Sequence, residues 1–182
     1  GGIMVATVLR EDSVREITLP KGLWYLFSWE RNSTSCLTIQ GGQVLGGVAQ
    51  LTEVSAFVRP GTVVTLAEGR VASSRDTPYS PLEVQVYAGA DGAFTLYEDG
   101  GASADEKRPV RSTVFRWYEQ DHYFAWEVYP MPSLGVSWGF YEQMQITIFD
   151  GASGNIIRSG MVSVGKGGGM GIGMFNRLTF YE

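Results

Sequence analysis

The stretch Leu82-Glu-Val-Gln-Val-Tyr-Ala-Gly-Ala-Asp-Gly-Ala-Phe-Thr-Leu-Tyr-Glu-Asp-Gly-Gly101 reads as strand, turn, strand. Leu82, Val84 and Val86 alternate with Glu83, Gln85 and Tyr87, the two-residue period of a strand with one buried face. Gly89-Ala90-Asp91-Gly92 supplies turn chemistry, because Asp-Gly accepts the positive φ of a tight connection. From Ala93 to Glu98 the alternation resumes, Phe94 and Leu96 against Thr95 and an amphipathic Tyr97, until Glu98-Asp99-Gly100-Gly101 stops it. The pattern predicts a β-hairpin, and nothing in it favours a helix.

The same short period recurs on both sides. Ile3 to Leu9, Val14 to Leu19 and the aromatic run Leu23-Trp-Tyr-Leu-Phe27 read as strands, the last on composition. Leu37 to Gln40 is a brief strand, and Gly41-Gly42 through Gly46-Gly47 a soft loop. In Leu51 to Leu66 the triplet Arg59-Pro60-Gly61 is a turn between two strands, Pro60 presetting φ and Gly61 taking the strained position. Downstream, Val110 to Tyr118 and Tyr123 to Tyr129 form a hairpin across residues 119–122. Met144, Ile146 and Ile148 mark a half-buried strand, Asp150 to Asn155 a hairpin loop into Ile156-Ile157, and Leu178 to Tyr181 a closing strand. About a dozen to fourteen short strands with closely spaced turn signals predict an all-β fold of two consecutive antiparallel β-sandwich domains. The polar, aperiodic segment Glu68 to Ser80 is the linker candidate, which places the domains at residues 1–79 and 80–182.

Bulk properties narrow the function classes. Hydrophobic content of 44% with 18% charged residues in 182 suits a globular chain with a real core. Glycine, at 24 residues, is about twice its usual share, as many turns require. A formal net charge of −5 without a basic stripe argues against a nucleic-acid partner. No apolar run approaches the ~20 residues of a membrane-spanning helix, so no membrane partner is expected. With no signal-peptide pattern at its start, the chain is expected to be a piece of something larger. Asn32-Ser33-Thr34 fits an N-glycosylation acceptor, so a secretory route follows only if Asn32 is glycosylated.

Several stretches resemble the C-terminal region of glycoside hydrolase family 31, the α-glucosidases and α-xylosidases. The opening stretch is similar to that family's Leu-x-Val-x-Val-Tyr followed by Gly-x-Asp-Gly-x-Phe-x-Leu-Tyr-Glu-Asp-Asp-Gly, with Gly100 in place of the second Asp. Phe57, Val58, Arg59 and Gly61 match its Phe-Val-Arg-x-Gly, while Ser55 and Thr65 stand where proline is usual. The run from Ile3 through Phe27 is similar to its Val-Ala-Pro-Val-Leu and Trp-Tyr-x-Phe segments, with Thr7 for a proline and Leu26 for a common Asp. The resemblance covers Ile3 to about Tyr118 and fades to general β character beyond.

That resemblance implies a proximal and a distal β-sandwich that pack on a catalytic (β/α)8 barrel and support it. It also implies a parent that hydrolyses α-glycosidic bonds with retention through a glycosyl intermediate. The two catalytic aspartates of the family lie on that barrel, which no part of this chain resembles. No catalytic residue is therefore expected here, and the chain alone is expected to be inert.

The residues themselves offer little reactive chemistry. Cys36 is the sole cysteine and reads as a buried apolar residue, without a paired histidine to activate it. His122 is the sole histidine, in a polar turn, so neither a zinc cluster nor a His-based dyad can form, and no metal or cofactor is expected. Gly160-Met-Val-Ser-Val-Gly-Lys-Gly167 imitates a phosphate-binding loop but lacks the terminal hydroxyl and a following helix, and reads as a hairpin loop. Glu98-Asp99 and Asp105-Glu106 are carboxylate pairs, yet neighbours on an extended chain point to opposite sides. Arg59 reads as a fixer of loop carbonyls before a functional group.

Five tryptophans and nine tyrosines leave a sugar-binding role open. Trp126 shares a strand face with Phe124 and Val128 and reads as core. Trp138 and Tyr141 fall in the irregular segment after Pro130 and are the carbohydrate-binding candidates, for an α-glucan or oligosaccharide. A freestanding carbohydrate-binding module and an assembly domain are the alternatives to a barrel support.

Overall fold

A computed structural model describes residues 2–7, 14–27, 35–48, 54–67, 81–99, 110–130, 141, 143–163 and 174–178. Fourteen strands run through them: β1 (Ile3–Ala6), β2 (Val14–Thr18), β3 (Leu23–Leu26), β4 (Thr38–Gln40), β5 (Val44–Val48), β6 (Ser55–Val58) and β7 (Thr62–Leu66), then β8 (Leu82–Tyr87), β9 (Gly92–Asp99), β10 (Val110–Tyr118), β11 (Tyr123–Pro130), β12 (Gln143–Phe149), β13 (Ile156–Ser163) and β14 (Met174–Leu178). The fold is an all-β sandwich architecture, and among the described residues there is no helix.

The strands make four sheets, ordered β2-β5, β1-β6-β3-β4, β13-β12-β8-β7 and β14-β11-β10-β9. Alternation on each strand shows how they stack. On β3, Trp24 joins a core with Leu19 and Phe57, with Ile17 and Leu45 of the β2-β5 ribbon packed on it. The intervening Tyr25 joins a second core with Val58, Tyr87 and Phe149. On β8 and β12 the alternate residues Val84, Val86, Ile146 and Ile148 meet Phe115, Trp117, Phe124 and Trp126 in a third core. Two of the sheets are thus buried on both faces, and β8 lies at the centre.

The opening stretch departs from the hairpin expected of it. β8 pairs antiparallel with β7 and parallel with β12, while β9 pairs with β10 in the next sheet. The turn at 89–91 therefore carries the chain from one sheet to the other. All six residues of β8 are buried, Glu83 and Gln85 included. Their burial is tolerated because Gln85 Nε2 donates to Glu83 Oε1 (2.7 Å) and Tyr87 donates its hydroxyl to Gln85 Oε1 (2.7 Å). The β8–β12 pair is also a parallel exception in otherwise antiparallel pairings.

Other expectations shift in smaller ways. The 119–122 turn does join β10 and β11 as a hairpin. The soft loop through Gly46-Gly47 is instead β5, paired with β2, because glycine hides the side-chain alternation that would reveal a strand. A strand runs over Met174–Leu178, and residues 179–182, over which the closing strand is expected, lie outside the described residues. Residues 160–163 belong to β13 rather than to a loop, and 164–173 lie outside the described residues. The linker candidate 68–80 also lies outside them; β7 on its N-terminal side is hydrogen-bonded to β8 on its C-terminal side.

Candidate functional site

The family-like motifs converge at one end of the sheets. Gly61, in the left-handed region (φ 77°), donates its N–H to the Tyr87 carbonyl (2.7 Å) and packs against the 89–92 turn. Asp91 Oδ1 accepts the Glu119 N–H (2.7 Å), and Glu119 Oε2 accepts both the Gly89 N–H (2.6 Å) and the Trp117 indole N–H (2.6 Å). The carboxylates of Asp91 and Glu119 are thereby spent on backbone and indole donors, holding the 89–91 and 119–122 turns together. Arg59 does not act as the expected carbonyl fixer in its best-defined contact: its guanidinium lies 4.9 Å above the Trp24 ring, a cation–π pair. His122, at the edge of the same cluster, has φ 45° and meets the Trp117 ring edge-on at 6.1 Å.

Reactive groups are muted elsewhere. Burial pushes the Cys36 thiol up to about 12, so it is no nucleophile at neutral pH. Burial likewise pushes the Tyr25 and Tyr87 phenols well above their ordinary range. Glu98 is held in a two-point ion pair by Arg111, Nε to Oε2 at 2.7 Å and Nη2 to Oε1 at 2.8 Å. Among the described residues no group of three or more His, Cys, Asp and Glu could hold a metal ion, and no helix is long and apolar enough to cross a membrane.

Of the two sugar-binding candidates, Trp138 lies outside the described residues, as does Asn32. Tyr141 is half-buried against the core between the last two sheets, its N–H 3.4 Å from Glu98 Oε1, and burial raises its phenol. The structure presents a different aromatic surface, on the outer face of β9-β10-β11. Tyr97 and Tyr129 flank Ser112 in one cross-strand row, since Ser112 pairs with both. They are 60% and 45% exposed. Two rows from there toward the 119–122 turn, Arg116 Nη1 meets Glu127 Oε2 at 2.7 Å, and the Tyr129 hydroxyl donates to the same oxygen at 2.6 Å. Tyr118 and Tyr123 stack at the far end, centroids 5.5 Å apart. Sequence reasoning missed this set because its members lie on three strands and meet only through register.

No family model matches the chain. It is 28% identical over 95 residues to an α-xylosidase of Saccharolobus solfataricus, covering 52% of this chain and 12% of that enzyme. The fold matches a family 31 α-xylosidase of Xanthomonas citri with a TM-score of 0.58 and 26% identity, over 89% of this chain and 18% of that one. A family 31 dextranase of Flavobacterium johnsoniae matches with a TM-score of 0.56 and 19% identity, over 82% and 18%. The chain spans less than a fifth of the length of these relatives. In sequence and fold it resembles a piece of a family 31 glycoside hydrolase.

Proposed function

We propose that the chain is the non-catalytic C-terminal β-sandwich region of a family 31 glycoside hydrolase, supporting a catalytic (β/α)8 barrel carried elsewhere in the parent. The observation that carries this reading is the mismatch in coverage: most of this chain aligns with under a fifth of an enzyme of known family. The placement of the family-like motifs agrees with it. Gly61, Asp91 and Gly92 sit where they fasten turns to one another, a structural duty. The parent reaction is retaining hydrolysis of an α-glycoside. Its substrate class lies among the specificities of the relatives, α-xylosidase and dextranase, besides the α-glucosidase that the sequence resembles.

The two-sandwich division is carried into this proposal with β7 assigned to the second sandwich, whose sheet it completes. The barrel-facing surface is β1, where Ile3 and Val5 are exposed on an edge strand. Two measurements test the reading. The purified chain should not turn over aryl α-glucosides or aryl α-xylosides, and turnover by it would refute the assignment. The upstream coding sequence should encode a barrel with paired catalytic aspartates; its absence would refute the parentage.

A further inference from the structure

Taking that parentage as premise, we propose that the free edge of β1 is completed by an extended, uncharged segment of the parent's own chain, outside these 182 residues, which joins the β1-β6-β3-β4 sheet as a further strand. Among the described residues β1 is bonded on one side only, to β6. The Arg59 N–H donates to the Gly2 carbonyl (2.8 Å), and these two residues stand opposite each other when the β1–β6 register is continued by one pair. In an antiparallel ladder, hydrogen-bonded pairs alternate with pairs that exchange no bond. Met4 and Ala6 therefore bond to Phe57 and Ser55, while the N–H and C=O groups of Ile3 and Val5 point away from β6. The far side of β6 keeps the same phase, since the Ala56 carbonyl accepts the Phe27 N–H (2.8 Å). Ile3 and Val5 thus hold their backbone donors and acceptors at an open edge, with both side chains exposed. Those side chains lie opposite Val58 and Ala56, on the face that carries the core with Tyr25 and Tyr87. A strand laid along β1 takes up these backbone bonds and continues that core outward.

The other edges show that β1 is different. Proteins blunt an edge strand with charge, brevity, bulges or cover, because an open edge is a template for pairing. Charged residues stand in β2 (Arg15, Glu16), β9 (Glu98, Asp99), β13 (Arg158) and β14 (Arg177). β4 is three residues long, β5 carries adjacent glycines, and β7 lies against β9. β1, Ile-Met-Val-Ala, has none of these devices, and its lack of charge suits an apolar strand. Size then selects a tethered occupant. A stable interface between two separate proteins uses roughly 20–30 residues a side, far more than a four-residue edge offers. A second copy would hold weakly there. A segment of the same polypeptide docks intramolecularly, at an effective concentration of about millimolar, and needs little contact. Because the chain spans less than a fifth of its relatives, a parent of their length has ample chain to supply the strand.

The test compares amide hydrogen exchange, resolved to single residues, in the full-length parent and in the 182-residue chain. In the chain alone, Met4 and Ala6 should be protected while Ile3 and Val5 exchange freely. In the parent, Ile3 and Val5 should slow by about 100-fold or more. Val5→Pro removes one outward N–H, which an unpaired edge tolerates. It should leave Met4 protected in the 182-residue chain yet return Ile3 of the parent to free exchange, which Val5→Ala should not do. Equal exchange at Ile3 and Val5 in the two proteins would overturn the added strand, and with a barrel encoded upstream it would leave the parentage standing. A gene that encodes no further chain would overturn both. Protection of Ile3 that survives Val5→Pro would overturn the proposal by giving the cover to a side-chain surface. Protection in the 182-residue chain that rises with its concentration would overturn it by giving the edge to a second copy.

Discussion

Gly92 lies so close to Gly61 that a β-carbon on Gly92 would run into the Gly61 carbonyl oxygen, and one on Gly61 would run into the Asp91 carbonyl. The two glycines come from two turns at which the chain leaves one sheet for another, β6 to β7 and β8 to β9. Gly61→Ala adds a left-handed-φ penalty to the clash (φ 77°), and should destabilise by about 2–4 kcal/mol. Gly92→Ala carries the clash without that penalty and should cost about 1–3 kcal/mol. Urea unfolding of both variants checks the order.

Two buried tryptophans separate packing from hydrogen bonding. The Trp117 indole N–H donates to Glu119, whereas Trp126 Nε1 has no partner among the described residues. Trp→Phe shortens the side chain in the same core at either site. At position 117 it also strips a donor from a carboxylate that organises two turns. Trp117→Phe should therefore cost about 1–2 kcal/mol more than Trp126→Phe. Equal losses in a denaturant titration would show that the Glu119 bond adds no stability.

The fold was legible where one strand carried one message. Phe124, Trp126 and Val128 alternate cleanly and pack as read, and the hairpin they join closes where residues 119–122 predicted. What stayed hidden was partnership. In the sequence Glu83 and Gln85 look like a solvated face, and the hydrogen bonds from Gln85 to Glu83 and from Tyr87 to Gln85 help make that face buriable. A two-residue period reports burial on one side; it is silent on which sheet the next strand joins, so it cannot tell that β9 pairs with β10 rather than with β8. The outer tyrosine face was illegible for a related reason. Tyr97, Ser112 and Tyr129 become neighbours only through the β9-β10-β11 register.

Acid should weaken that face. The Tyr129 hydroxyl first, and the Arg116 guanidinium second, hold the Glu127 carboxyl below its ordinary range. A folded-state value below the unfolded one means the stabilisation is present above the unfolded value, about 4.3, and is lost as pH falls through the folded one. Asp150, held down chiefly by Ser153, contributes with the same sign. The Glu127 share is isolated by difference. Tyr129→Phe should be less stable than the wild type at pH 7, and the gap should narrow as pH falls below about 4. A gap independent of pH would mean that the hydroxyl acts through packing alone.

The final prediction concerns how the β12–β13 loop is fastened. Gly154 has φ 71°, a β-carbon there would run into the Cys36 carbonyl oxygen, and the Gly154 carbonyl oxygen accepts the Cys36 N–H at 2.9 Å. Asp150 shapes the loop by accepting from the Ser153 N–H (2.8 Å) and hydroxyl (2.6 Å), and Ser35 bridges Asn155 beside it. Cys36 is buried under this contact, its thiol 3.5 Å from the Gly154 carbonyl oxygen. Iodoacetamide at pH 8 should therefore modify the native protein only through transient opening, because the thiol is both covered and protonated there. Gly154→Ala should cost about 2–4 kcal/mol through strain and collision. It should speed Cys36 alkylation far more than an equally destabilising change on the opposite sheet, such as Val128→Ala. If both variants label at the same rate, Cys36 is exposed by global unfolding, and the loop is no separate clasp.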